Sequence, residues 1–355
     1  MSYRGTSSFT APRMDEAKAE KEKNSLTAEE KEAANRDLYG LVSPSEEDPA
    51  VIDAQLEELD VALGAFVDDT YWNNAQELCP DIANDRDFRL RFLRSVYYDV
   101  QVRRKKLSKL APELLAATVY LTFSCCILSV VFVCCIQKAA RRMLSYWKMK
   151  HELFGREKAY KKLLLSDLDD QDLATPRNRG VWVLPKRDRA GRAIVLSRKP
   201  NWVYEKRDNL WRWVWFIADD LAASDPAAQL KGVLAISFDD GPFSFNKFDR
   251  KLESKLMQMG LDCLPIRWVA VHVFYDSKVH EMLIPFVRFM LGKNLRARFL
   301  IYPGSKRKNR LERLKEVGMP KEMLPTIMGG DDEFDIAAWI EEQLEREKGE
   351  KRTET

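Results

Sequence analysis

The chain has 355 residues, 45% hydrophobic and 32% charged, with a formal net charge of +3. That length accommodates one or two domains with proper cores, and the composition is that of a globular protein with a solvated surface. So small a net charge gives no basis for nucleic-acid binding. Only Cys79 and Cys263 lie outside one apolar run, which excludes a disulfide framework and fits a reducing compartment.

Residues 1–48 are rich in Lys, Glu, Ala and Ser and nearly free of large apolar side chains. Such a segment cannot bury enough surface to offset its ordering, so it reads as a disordered or transiently helical charged tail. It begins Met1-Ser2-Tyr3-Arg4-Gly5, without the apolar stretch of a signal peptide, which points to the cytoplasm. From Val51 the period becomes helical, with Ile52, Leu56, Leu59, Val61 and Leu63 on one face. A second helix is expected over 72–78, and a third after Asp85-Arg86-Asp87, carrying Phe88, Leu90, Phe92 and Leu93.

Residues 114–136 then form 23 consecutive uncharged positions, long enough to cross a bilayer as a helix. Basic residues flank both ends, Arg103 to Lys109 before and Lys138 to Lys148 after, so loop charge gives no orientation. Helical spacing resumes at Ala139, Ala140, Met143, Leu144 and Trp147 and continues toward Leu165. The last half changes to short β-type runs at 181–184, 193–196, 233–238, 268–274 and 299–302, separated by helical patterns. Alternation of this kind predicts an α/β layer with a mostly parallel sheet flanked by helices. The run Val233-Leu234-Ala235-Ile236 is continuous, as a strand covered on both faces should be.

The order of several short motifs resembles the CRAL-TRIO, or Sec14-like, lipid-binding family over roughly residues 55–335. Arg91-Phe92-Leu93-Arg94 fits its helical N-terminal part. Gly180, Leu184-Pro185 and the turn Asp188-Arg189-Ala190-Gly191-Arg192 fit the opening of its lipid-binding part. Phe238-Asp239-Asp240-Gly241, Pro265-Ile266-Arg267, Ile284-Pro285-Phe286 and Leu324-Pro325 with Gly329-Gly330 follow in order. The family's Asn and Pro near Tyr275 to Ser277 are missing, and Ile266 stands where inositol-lipid carriers often have Glu. The resemblance implies a helical subdomain over 49–165, a lipid-binding domain over 166–335 and a charged helix or tail over 336–355.

It also implies a bound lipid rather than a cofactor, no catalysis, and an expected monomer at a membrane surface. Cavity walls would come from Phe238, Trp268, Ala270, His272, Phe274, Phe299 and Ile301. A gate helix over 280–291 would contribute Met282, Leu283, Phe286, Val287 and Met290, with Pro285 favouring a bend. Arg298 is the candidate headgroup cation. Lys306, Arg307, Lys308, Arg310 and Arg313 form a basic cluster suited to an anionic leaflet. A sheet core, a core helix and a solvated charge run are the respective plain readings of the same residues. Asp239-Asp240 with Asp331 and Asp332 is the one carboxylate grouping that suggests metal chemistry.

The resemblance makes the helices around Arg91 and Met143 neighbours, and a single membrane crossing between them would put them on opposite sides of a bilayer. Without residues 102–137 the chain reads Tyr98-Asp99-Val100-Gln101-Lys138-Ala139, which the family pattern accepts without a gap. Every Val codon begins with GT and one Gln codon ends with AG, the letters of an intron. Residues 102–137 are therefore read as translated intron, with a transmembrane helix (hence an integral membrane protein) or a buried core helix as the alternatives.

Overall fold

The computed structural model describes residues 28–39, 47–66, 68–96, 120–239, 249–276, 285, 287, 291, 293–303 and 307–353. Among these, only the backbone is described for 28–30, 120–134, 293–294, 307–308 and 350–353.

Aspartates start most of the helices. Helix α1 spans Ala28–Tyr39 and α2 spans Pro49–Gly64, the latter capped by Asp48, whose carboxylate accepts from Ala50 N, with Pro49 in the first turn. Helix α3, Thr70–Leu78, is capped by Asp69, which accepts from Tyr71 N and Trp72 N. Helix α4, residues 86–96, begins where Asp85 accepts from Phe88 N at 2.6 Å. Helix α5 runs over Tyr120–Ala159 and is broken at Gly155, whose φ of 73° a helix cannot hold. Then come α6 (Asp170–Arg177), α7 (Arg207–Ser224), α8 (Pro226–Lys231), α9 (Arg250–Gln258), α10 (Arg307–Glu316) and α11 (Ile336–Thr353).

The five expected strands form one mixed sheet in the order β1-β2-β3-β4-β5: Val181–Val183, Ala193–Ser197, Val233–Asp239, Trp268–Tyr275 and Phe299–Pro303. Only the β1–β2 pair is antiparallel. The turn joining β1 to β2 has a physical basis in its sequence. Asp188 accepts from both Arg192 N and Arg192 Nε at 2.7 Å, and Gly191 supplies the φ of 77° that closes the loop.

Aromatic side chains bind the helical part into the rest. Phe88 and Phe92 of α4 meet Tyr146 of α5 with ring centroids 5.5 Å apart, and Tyr146 meets Trp215 of α7 at 5.1 Å. Arg94 of α4 clasps Glu47 with two hydrogen bonds of 2.6 and 2.8 Å and reaches Gln229 of α8. Helices α4 and α5 therefore pack directly, as the resemblance implied.

The structure bears on two sequence expectations. The charged tail expected over 1–48 contains α1, whose Ala33, Ala34, Asp37 and Leu38 are buried. Small side chains let a mostly polar segment lie close against the protein, so few large apolar residues are required. The apolar run over 114–136 falls partly outside the described residues. Its last positions, Cys135 and Ile136, are buried in the main core, continuous with Ala139 and Ala140 on α5. Among the described residues no helix is long and apolar enough to cross a membrane. The side chains of 114–134 lie outside the described residues.

Candidate functional site

Register decides which of the expected cavity residues can share a space. His272 pairs with Ile236 on one side and Leu300 on the other, while Val273 pairs with Ser237 and Ile301. Side chains alternate along a strand, so Phe238, Ala270, His272 and Phe274 lie on one face and Phe299 and Ile301 on the other. The seven expected wall residues do not line a single hollow. Trp268, beside the register shift at Val233/Leu234, donates its indole N–H to Gly260 O and is half-buried.

The first face is closely packed along β2, β3 and β4, while its β5 residues Leu300 and Tyr302 are half-buried. Ile194, Leu196, Leu234, Ile236, Phe238, Ala270 and His272 are fully buried. The opposite face differs. Across its two rows, Val195, Ala235 and Val271, then Ser197, Ser237, Val273 and Ile301, every side chain is only half-buried. Central strands of a parallel sheet are ordinarily covered on both sides. Here one side is left as a shallow trough of small and β-branched side chains, bounded by the buried Phe299 and Val233. The expected wall residues are therefore divided between the two faces, Phe299 and Ile301 on the trough side and Phe238, Ala270, His272 and Phe274 on the other.

Of the gate stretch, Met282, Leu283, Phe286 and Met290 lie outside the described residues. Val287 is half-buried, and its carbonyl accepts from the N–H of buried Leu291. Lys306 also lies outside, and Arg307 and Lys308 are described only as backbone of α10. Arg310 departs from the expected surface cluster. It is buried, its guanidinium lies over the Phe238 ring at 5.1 Å, and it donates to Met328 O. Its long stem and planar head serve the core, which helical spacing on a charge run could not reveal. Arg313 is exposed and pairs with Glu316.

Arg298, the expected headgroup cation, is buried and faces an internal partner. Its Nε donates to Asp37 Oδ2 at 2.7 Å. Arg267 Nη1 reaches the other carboxylate oxygen at 3.3 Å, and Arg192 donates to the main-chain oxygens of Asp37 and Leu38. The turn ending in Arg192 and the Pro265-Ile266-Arg267 motif thus share one task, gripping the end of α1. Nothing in the spacing of Asp37 announced it.

Two of the cavities lined by described residues lie away from the trough. One of about 420 Å³ is polar, lined by Tyr204, Arg207, Asp249 and their neighbours, with Arg207 and Asp249 paired at 2.5 Å. The other, of about 140 Å³, adjoins Asp37 and holds Lys138, Arg142, Arg267 and Arg298. The carboxylates considered for metal chemistry are spread apart in role. Asp239 accepts from Lys199 N, Asp331 pairs with Lys321, and Asp332 pairs with Lys186, while Asp240 lies outside the described residues. Among the described residues no group of three or more His, Cys, Asp or Glu is placed to hold a metal ion. No family model and no curated protein matches the chain.

Proposed function

We propose that the chain is a CRAL-TRIO-type lipid-binding protein that takes one phospholipid or similar lipid against its sheet and transfers or presents it between membranes. The observation that carries this reading is the half-buried trough of Val195, Ala235, Val271 and Val273 on central strands, continued by Ile301 on the edge strand β5. An acyl chain lying there gains roughly 0.8 kcal/mol for each methylene removed from water. The apolar sequence of 280–291 supplies a lid that would close over it. The ligand is a lipid with no cofactor, the protein works as a monomer without chemical catalysis, and it acts in the cytoplasm and at a membrane surface. Arg313 and its neighbours on α10 contribute the basic contact there.

Extraction of lipid from the purified full-length chain, followed by mass spectrometry, tests the reading. The expected result is one acyl lipid per chain, released to acceptor vesicles. A chain that copurifies with no lipid and takes up none from labelled vesicles removes the proposal. Uptake without onward release assigns a sensor in place of a carrier.

A further inference from the structure

Helix α2 carries apolar side chains on two sides. The inner side is used: Gln55, Leu59, Ala62 and Leu63 are buried, and the helix packs against α5. The outer side faces water. Val61, expected on the inner face, is 77% exposed, and Val51 is 45% exposed. With Ala54, Glu58 and Ala65 they form one exposed stripe that advances in alternate steps of three and four residues. That is the spacing of a seam along which one helix lays its apolar residues against another. Ala54 and Ala65 are small enough to let a second helix come close.

Charge narrows what fits there. Residues 46–85 hold twelve Asp and Glu and no Lys, Arg or His, in a chain whose net charge is +3. Arg86 pairs with Asp53 and Arg89 pairs with Asp60, which neutralises one flank of α2. Glu57 and Glu58 are exposed beside the valine stripe and have no ion pair among the described residues. Carboxylates repel phosphates, so neither nucleic acid nor an anionic leaflet suits this surface. A cationic helix with an apolar stripe suits both of its features. It covers Val51 and Val61 and offers Lys or Arg to the two glutamates.

We propose that the outer face of α2 is a docking surface for a basic amphipathic helix of a protein partner. Val51, Ala54 and Val61 meet its apolar side chains, and one of its cations meets Glu58. The 16 residues of α2 give about two heptads of seam, so the contact is small and reversible, as in transient signalling encounters. The surface is independent of the lipid reading, since none of the trough residues belongs to α2.

Fluorescence anisotropy of a labelled synthetic helix with the full-length chain tests this. The probe is a peptide of about three heptads with Leu along its seam, Lys on its flanks and one Lys placed to face Glu58. One control peptide has the same composition in scrambled order, and another has Glu in place of every Lys. The seam peptide is expected to bind at least about tenfold more tightly than either control. Val61→Asp is the deciding variant. It adds a carboxylate, so attraction by charge alone would tighten binding, whereas loss of the seam should weaken it about tenfold. Glu58→Lys should weaken binding to a similar degree. Both positions are exposed, so the urea midpoint should stay the same in each variant. Seam and scrambled peptides that bind equally, or not at all, overturn the proposal. So does unchanged or tighter binding by Val61→Asp. Sedimentation of the chain alone covers the remaining occupant: a dimer that Val61→Asp abolishes would give this face to a second copy and overturn the proposal as well.

Discussion

His272 Nδ1 lies 3.2 Å from the Tyr302 hydroxyl, and the two rings stack at 6.0 Å and 8° across β4 and β5. Tyr302 in turn stacks on Phe274 at 4.4 Å. Burial, followed by the charge of Arg192, lowers the His272 pKa from 6.5 to about 4, and burial raises Tyr302 to about 12. The fold thus prefers the neutral imidazole.

Stability should depend on pH through this residue. The unfolded chain protonates His272 near its ordinary value while the folded chain resists. The contribution is therefore fully present above pH 6.5 and is lost as pH falls toward 4. The difference amounts to about 3 kcal/mol. Urea unfolding between pH 4 and 7 should show this slope, and His272→Leu should flatten it. An equal slope in the variant assigns the acid sensitivity to other groups.

Strands were the most legible part of the fold. The β-type runs at 233–238 and 268–274, interrupted only by Ser237 and His272, fall within β3 and β4, because strands of a parallel sheet show little polar alternation to blur their limits. The choice of face was not legible. Val271, His272 and Val273 are equally strand-like, and only pairing with β3 and β5 decides which two look toward the trough. Charge runs misled in a related way. Arg310 sits among cations in the sequence yet folds inward over Phe238, and Asp37 lies in a polar segment yet is buried by three distant arginines. Long-range ion pairs leave no periodic trace, so neither residue could have been placed from spacing.

Filling the trough should displace lipid without unfolding the protein. Val273→Trp adds bulk on the half-buried face, where it can lean outward, in contrast to the overpacking it would cause in the sealed core. Bound lipid per chain is expected to drop at least about tenfold, with the urea midpoint nearly unchanged. Phe286→Asp with Met290→Asp should abolish vesicle-to-vesicle transfer for a different reason, since a charged lid cannot enter a bilayer. Native lipid content in Val273→Trp would show that the ligand does not lie on this face.

The Gly329-Gly330 closure carries a packing requirement. A Cβ on Gly330 would stand 1.8 Å from Leu324 O, a main-chain atom that cannot swing aside, and Gly330 N donates to Pro325 O in the same loop. Gly330→Ala should destabilise the chain by roughly 2–4 kcal/mol. Gly349→Ala meets nothing within 4 Å and serves as the control, expected to be neutral or slightly stabilising within α11. Equal unfolding midpoints for the two variants would mean that the loop relaxes around the added methyl.

Residues 102–137 can be tested by deletion because the described side-chain contacts that join α4 to α5 lie outside them. Phe88 and Phe92 meet Tyr146 and Trp147, Arg142 meets Ser95, and none of these belongs to the excised piece. Among the described side chains the loss falls on Cys135 and Ile136, which extend the core cluster. A chain joining Gln101 to Lys138 should therefore keep cooperative unfolding, at a cost of about 2–4 kcal/mol if Ile136 has no substitute, while its far-ultraviolet helical signal falls by the part of α5 removed. Spliced transcript should join codons 101 and 138, as translated intron requires. Transcripts that always keep the 36 codons would make the apolar segment part of the working protein. Loss of cooperative unfolding on deletion would place 102–137 inside the folding unit, because α4 could then not reach Tyr146 without it.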